Sequence, residues 1–292
     1  MKIRNAVLLA VLLAVGCTTL DIDLPAVTEA PSGVHAPGRV VWHDLLTNDP
    51  AASQRFYSEL FGWEFERPGI DVGFGDGNGY LLIRHDGELI GGLVDTRALG
   101  REENISQWVT VISVEDVERA VDLIRIEGGK VLTRPTELPS RGTIAVVADR
   151  DGAIFAVART RGGDPPEHEP ALNKWLWDEL WTGNVSAASD FYAEVAGYSV
   201  EQPQTIDVGQ DYRVMRAGGR PRAGIMDNPF GGQPPVWINY VRVADPAAIT
   251  ARVPSLGGRV IIDARKRPAG GMAAFIAGPS GAGIAVQTWP LD

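Results

Sequence analysis

One cysteine, four histidines and no basic cluster make this a chain defined first by what it cannot do. A lone Cys17 rules out an intrachain disulfide. The histidines are scattered: His35 and His168 lie in irregular segments, His43 inside a strand pattern, and His85 just before the turn Asp86-Gly87. A histidine-rich metal centre is therefore not available. With 27 basic against 37 acidic residues, the net charge is −10. Nucleic acid is excluded as a partner, because binding it needs Lys and Arg groups to neutralise phosphates. No apolar run approaches the roughly 20 residues that span a bilayer. What remains is an ordinary globular composition, 45% hydrophobic and 22% charged. Its 292 residues are enough for about two domains.

The first residues read as a targeting segment. Lys2 and Arg4 precede the short apolar run Ala6 to Val15, and Ala14-Val15-Gly16-Cys17 resembles a bacterial lipobox. That resemblance implies cleavage after residue 16 and lipidation of Cys17. That Thr19 follows rather than an Asp implies, by the sorting habit of that family, the outer membrane of a double-membraned cell. The expected location is extracytoplasmic, with the membrane as a partner through the lipid. Residues 17–38 carry three prolines, little apolar periodicity and His35, and are expected to form a mobile tether.

Beyond the tether the chain repeats itself. Trp42-His43-Asp44-Leu45-Leu46-Thr47 returns as Trp177-Asp178-Glu179-Leu180-Trp181-Thr182, and Phe56-Tyr57 returns as Phe191-Tyr192. Both pairs stand 135 residues apart. Trp108 answers Trp237, and Gly152-Ala153 answers Gly281-Ala282, each 129 residues apart. A period this long means duplicated domains rather than a solenoid. The domains span 39–161 and 172–292, joined by a Pro/Gly-rich linker at 162–171 that contains His168.

Each half repeats a plan within itself. Asp49-Pro50 is a strong helix start, Ala52, Phe56 and Leu60 share a helical face, and Gly62 ends the helix. Asp116 and Asp245-Pro246 open comparable helices, and another starts near Ser186. Strand patterns precede and follow each one. The expected fold is α+β, with four βαβββ modules paired into two domains.

That order, the Trp-x-Asp/Glu-Leu-x-Thr strand, the Phe-Tyr-x-Glu helix end and the hairpin Asp149 to Phe155 resemble the vicinal oxygen chelate superfamily. This group contains glyoxalase I, bleomycin-resistance proteins and extradiol dioxygenases. Within it, these motifs look like one branch of two-domain proteins often labelled hydroxylases or antigen-like glyoxalase relatives. The fold hosts many chemistries, so it does not fix an activity. Metal-dependent members hold a divalent ion in a cup formed by two adjacent modules. Carried over residue by residue, the ligand positions here are Trp42, Val109, Ala156, Trp177, Ile238 and Ala285. None of these can donate electrons to a cation. Only a one-residue shift in alignment would bring Gln107 or Asn239 into play. No cofactor is expected, and a divalent metal stands as the alternative.

Without a metal, the cups become candidate ligand pockets. Trp42 and Asp44 share one strand face, as do Trp177 and Glu179, with Tyr212 and Tyr240 as further donors. An aromatic beside a carboxylate suits a small organic ligand with an apolar body and a polar or cationic group. The structural alternative pairs Asp44 and Glu179 with an arginine such as Arg84 or Arg213. By alternation His43 faces away from the cup. Gly73 to Gly79 joins two strands, so it is a hairpin or lid and not a phosphate loop. Gly278 to Gly281 is a turn and not a nucleophile elbow. The expected function is metal-free binding of a small organic molecule by a lipid-anchored protein. An enzyme of the lyase, isomerase or dioxygenase kind, with Asp44 or Glu179 as base, is the alternative. An interaction lipoprotein with solid cups is the third reading.

Overall fold

The computed structural model describes residues 22–75, 79–100, 103–203, 211–267 and 270–289. The targeting segment with Cys17 and the centre of the Gly73 to Gly79 loop lie outside them.

The first half opens with β1 (Val40–Thr47), α1 (Pro50–Phe61), β2 (Glu64–Glu66), β3 (Tyr80–His85) and β4 (Glu88–Asp95). It continues with β5 (Gln107–Ser113), α2 (Val117–Ile126), β6 (Lys130–Val131), β7 (Thr136–Leu138), β8 (Gly142–Ala148) and β9 (Ile154–Thr160). The second half copies the plan as β10 (Trp175–Thr182), α3 (Val185–Ala196), β11 (Ser199–Glu201), β12 (Tyr212–Ala217) and β13 (Arg220–Asp227). It closes with β14 (Val236–Arg242), α4 (Pro246–Arg252), a 3-10 turn (Val253–Leu256), β15 (Arg259–Lys266), β16 (Met272–Ala277) and β17 (Gly283–Gln287). The expected capping chemistry operates: Asp49, Asp116, Asn184 and Asp245 each accept a backbone N–H from the first turn. Gly62 and Gly197 close α1 and α3 in the left-handed conformation.

Each half forms one mixed sheet. The first runs β2-β3-β4-β1-β5-β9-β8-β6 with β7 on β8, and the second runs β11-β12-β13-β10-β14-β17-β16-β15. The central pair of each sheet, β1 with β5 and β10 with β14, is antiparallel and joins its two modules. The strand faces away from the helices curve into the two cups.

The helices occupy the space between the sheets. Phe56, Tyr57 and Leu60 of α1 share a core with Val241, Ile276 and Ile284 of the other half. Val117, Val121 and Ile124 of α2 share one with Phe191, Tyr192 and Trp237. The module repeat therefore does not delimit the cores: module one packs with module four, and module two with module three.

At the centre of this contact the two sheets meet through polar groups. His43 Nε2 lies 2.8 Å from Asp178 Oδ1, and Asn239 Nδ2 donates to Asp178 Oδ1 and to Thr110 Oγ1, each at 2.7 Å. All four side chains are buried. His43 and Asp178 are repeat partners, as are Thr110 and Asn239, so the axis relating the halves passes among them.

The segment before β1 departs from expectation. Residues 22–38 carry no regular secondary structure, yet they are fixed and not a mobile tether. Leu24 and Val27 enter the apolar lining of the first cup, where Val27 is 3% exposed. Asp23 accepts hydrogen bonds from Ser140 N at 3.0 Å and Oγ at 2.6 Å. His35 Nε2 reaches Thr160 O at 2.8 Å. The physical reason is that no helix covers a cup face, so two apolar side chains there gain roughly 1.5–3 kcal/mol each on full burial. The inter-domain connection is similarly tied down, because buried Asp164 accepts from Ser113 Oγ, Thr160 Oγ1 and Ala36 N. His85, expected at the surface, has its side chain 11% exposed and lies against Gly62 O.

Removing one partner of the central pair strands a buried polar group, whereas replacing both need not. Asp178→Leu or His43→Leu alone should lower unfolding free energy by about 3–5 kcal/mol in urea titrations. The double leucine variant should recover most of that loss. Additive losses in the double variant would show that the pair is not coupled.

Candidate functional site

Alternation along β1 places Trp42, Asp44 and Leu46 on the cup face and sends His43 and Leu45 to the helices. β10 does the same with Trp177, Glu179 and Trp181 outward and Asp178 inward. The adjacent acids Asp178 and Glu179 thus serve opposite faces and never act as a dyad.

In the first cup, Asp44 accepts from Trp42 Nε1 at 2.9 Å, Tyr80 Oη at 2.6 Å and Arg141 Nη1 at 3.1 Å. Arg141 is 1% exposed and lies near the rings of Trp42 and Tyr80, 5.1 and 5.5 Å from their centroids. The second cup repeats the arrangement around Glu179, which is fully buried. Its Oε1 accepts from Tyr212 Oη at 2.9 Å and Arg267 Nη2 at 2.7 Å. Its Oε2 accepts from Trp181 Nε1 at 3.2 Å and from Tyr240 Oη. Trp177 Nε1 in turn donates to Tyr212 Oη at 3.2 Å.

This geometry selects the structural alternative for both acids and corrects its partners. Arg84 lies at the far end of β3 and pairs with Glu29 and Glu66. Arg213 points to the helix side of β12, toward Ser189 and Asp211. The actual counter-ions, Arg141 and Arg267, come from the loops entering β8 and β16. Burial opposes the charge of Arg267, but the Glu179 carboxylate outweighs it and holds the guanidinium above its ordinary value. Burial and the same carboxylate push the Tyr212 and Tyr240 phenols well up, so both remain donors. A carboxylate offers about four acceptor sites. Glu179 has four donors on it, which leaves no lone pair to take a proton from a substrate, and neither carboxylate is free to bind a cationic group.

Two glycines make these clusters possible. Gly92 lies opposite Asp44, and Gly224 opposite Glu179. A Cβ on Gly92 would come within 1.9 Å of Tyr80 Oη and 2.3 Å of Asp44 Oδ1. One on Gly224 would come within 2.5 Å of Tyr212 Oη. The tyrosine reaches the carboxylate only across a bare Cα.

The positions at which the fold would supply metal ligands, Trp42, Val109, Ala156, Trp177, Ile238 and Ala285, present hydrocarbon or indole. Asn239 is turned between the sheets. Among the described residues no three His, Cys, Asp or Glu side chains converge. The one carboxylate in each cup is already neutralised by an arginine, so the residues present do not fit a divalent ion.

The cups differ in what fills them. The first is lined by Leu24 and Val27 together with Val72 and with Phe74, which lies on the loop read as a hairpin or lid. The second holds a pocket of about 350 Å³ walled by Trp181, Met226, Tyr240, Ile262, Phe275 and Ala285. Arg265, Lys266 and Arg267 line the same pocket. Arg265 and Lys266 are exposed, and neither makes an ion pair among the described residues. A larger cleft of about 870 Å³ opens between the halves beneath Pro165 and Pro166, with Trp175 and Trp177 in its walls. Several of its charges are paired with one another, Arg220 and Arg222 with Glu167 and Lys174 with Glu88. Tyr212 and Arg267, which edge the second cup, line this cleft as well.

Gly224→Ala should lower stability by about 1–3 kcal/mol in urea, the cost of leaving buried hydrogen-bonding groups unpaired. Gly183→Ala, where a Cβ meets open space, should stay within about 0.5 kcal/mol. Equal effects would show that the close approach is not what the glycine serves.

Residues 38–157 match the family model of the Glyoxalase/Bleomycin resistance protein/Dioxygenase superfamily. The candidate glyoxylase CFP32 of Mycobacterium tuberculosis is 30% identical over 241 residues, covering 82% of this chain and 91% of that protein. The anthracycline biosynthesis protein DnrV of Streptomyces peucetius is 31% identical over 263 residues, covering 86% and 93%. In three dimensions the fold is similar to a Mn(II)-bound glyoxalase from Novosphingobium aromaticivorans. The TM-score is 0.58 at 16% identity, with 87% of this chain and 83% of the other covered. It is also similar to 2,2',3-trihydroxybiphenyl 1,2-dioxygenase from Sphingomonas wittichii strain RW1, with TM-score 0.57, 12% identity and coverage of 88% and 92%. With its duplicated βαβββ modules and two outward cups, the chain belongs to the glyoxalase/bleomycin resistance/dioxygenase superfamily.

Proposed function

We propose that this protein binds a small organic anion with an aromatic or apolar body in its second cup, without metal-dependent catalysis. The observation that carries this reading is the open pocket walled by Trp181, Met226, Tyr240 and Phe275 and edged by Arg265 and Lys266. Its volume of about 350 Å³ falls in the range of small-molecule sites, roughly 300–1,000 Å³. The exposed cations attract negative charge, while the buried carboxylate beneath them is spent on Arg267, Tyr212 and Tyr240. The sign of the ligand is thus the reverse of what an uncovered Glu179 implies. A relative named for anthracycline biosynthesis is consistent with an aromatic ligand.

Lipid anchoring belongs to the same proposal and rests on Lys2, Arg4 and the Ala14 to Cys17 sequence. Asp23, fixed at Ser140, stands six residues from Cys17, and a chain extends at most about 3.3–3.6 Å per residue. A lipid on Cys17 would therefore keep the first cup close to the surface of the membrane that holds it.

The charge reading is tested with two probes of the same body. 1-Naphthoate should raise the melting temperature and 1-naphthylmethylammonium should not, since only a ligand of the folded state stabilises it. Reversing the rim with Arg265→Glu and Lys266→Glu should weaken naphthoate binding by about tenfold or more, and added salt should shrink that difference. Tighter binding of the ammonium would overturn the assignment of sign. Elemental analysis after incubation with manganese, iron, nickel or zinc should find no stoichiometric metal. One ion per chain would return metal chemistry to the leading position.

A further inference from the structure

The two cups carry the same carboxylate, tyrosine, tryptophan and arginine cluster, yet one is open and the other is filled by the chain itself. We propose that residues 22–30 are an intramolecular ligand of the first cup, and that an organic anion with an apolar body displaces them to occupy a second binding site. The chemical class of that ligand rests on the reading of the second cup, but the displacement does not.

The segment has the composition of such a ligand. Leu24 and Val27 supply an apolar body that joins the cup lining beside Trp42 and Tyr80. Asp23 supplies an anion held by a backbone N–H and a hydroxyl of Ser140, at 3.0 and 2.6 Å. The Pro25 carbonyl takes the Nε hydrogen of Arg141 at 2.8 Å, from the same guanidinium that neutralises Asp44. Arg141 therefore reads a group lying in the cup while its other nitrogens hold the wall together.

The attachment is also of a kind that can be released. Residues 22–30 make no backbone ladder with either sheet. Among the described residues, their polar links to the rest of the fold are those of Asp23 and Pro25 and an ion pair of Glu29 with Arg84 at the surface, where the Glu29 side chain is 68% exposed. Departure of the segment unzips no strand. It leaves Ser140 N–H, Ser140 Oγ and Arg141 Nε as donors around an apolar hollow. Arg141 is buried and Ser140 partly buried, and a charged acceptor makes the strongest hydrogen bonds with such donors. A carboxylate or sulfonate on an aromatic body supplies both halves of what the segment provides.

Isothermal titration of the full chain with 1-naphthoate tests this. The unaltered protein should take up one equivalent at low concentration. Leu24→Asp with Val27→Asp, which places unpaired charge in the lining and expels the segment, should take up two. One equivalent in both proteins would overturn the proposal. None in the unaltered protein and one in the variant would refute the second-cup reading while supporting displacement. None in either would refute both. A measurement on the unaltered chain decides the matter if the variant does not fold. The methyl resonances of Leu24 and Val27, displaced by neighbouring rings while in the cup, should move to random-coil positions at high naphthoate. Methyl signals that stay in place at concentrations saturating the second cup would overturn the proposal.

Discussion

Burial of the helix-bearing face of one sheet against that of the other is the constraint on which this molecule rests. Neither sheet closes its own core. α1 shares its core with the fourth module as well as with its own sheet, and α2 with the third module as well as with its own, so both of these apolar cores run across the halves. At the middle of that surface the repeat partners His43 and Asp178 meet each other, with Asn239 bridging Asp178 to its own repeat partner Thr110. Apolar packing between two related surfaces tolerates many registers. A buried pair that bonds only when correctly opposed tolerates one, which gives this polar centre a role in fixing how the sheets align.

Once the helices face inward, the cups must face outward, and their chemistry follows from what an uncovered sheet face can hold. A carboxylate stands on the central strand of each cup, fully buried at Glu179 and partly buried at Asp44. It is stabilised by an indole of its own strand, a phenol of a nearby strand and an arginine from an entering loop. The same electrostatic solution appears twice, around Asp44 and around Glu179. The difference between the cups lies above this floor, in whether the chain lays its own residues across it.

Much of this was legible in the sequence because it is set by local pattern. The helix starts at Asp49, Asp116 and Asp245, the stop at Gly62, the strand faces of Trp42 and Asp44, and the 135-residue repeat all follow from spacing and capping chemistry. Tyr80 and Tyr212 open equivalent strands, and Gly92 and Gly224 sit opposite the acids, so those parts of the cluster carried a signal that alignment of the halves could have exposed. The counter-ions did not. Arg141 and Arg267 come from entering loops at positions the repeat does not align, and which arginine reaches a carboxylate depends on loop path. The settled segment before β1 was equally hidden, because prolines and weak periodicity describe a chain without regular structure and say nothing about whether it finds a surface. The module partners across the core are tertiary information that no periodicity encodes.

The outward placement of the cups has a consequence for how this duplicated chain can change. Substitutions on the shared-core faces of α1 and α2 meet residues of the opposite repeat, so drift in the interior is yoked across the two copies. A cup answers to no such partner. Its rim and contents can be altered in one copy while the other is left as it was, which is how two copies of one hollow can come to differ, one open and the other lined by the chain's own leading segment.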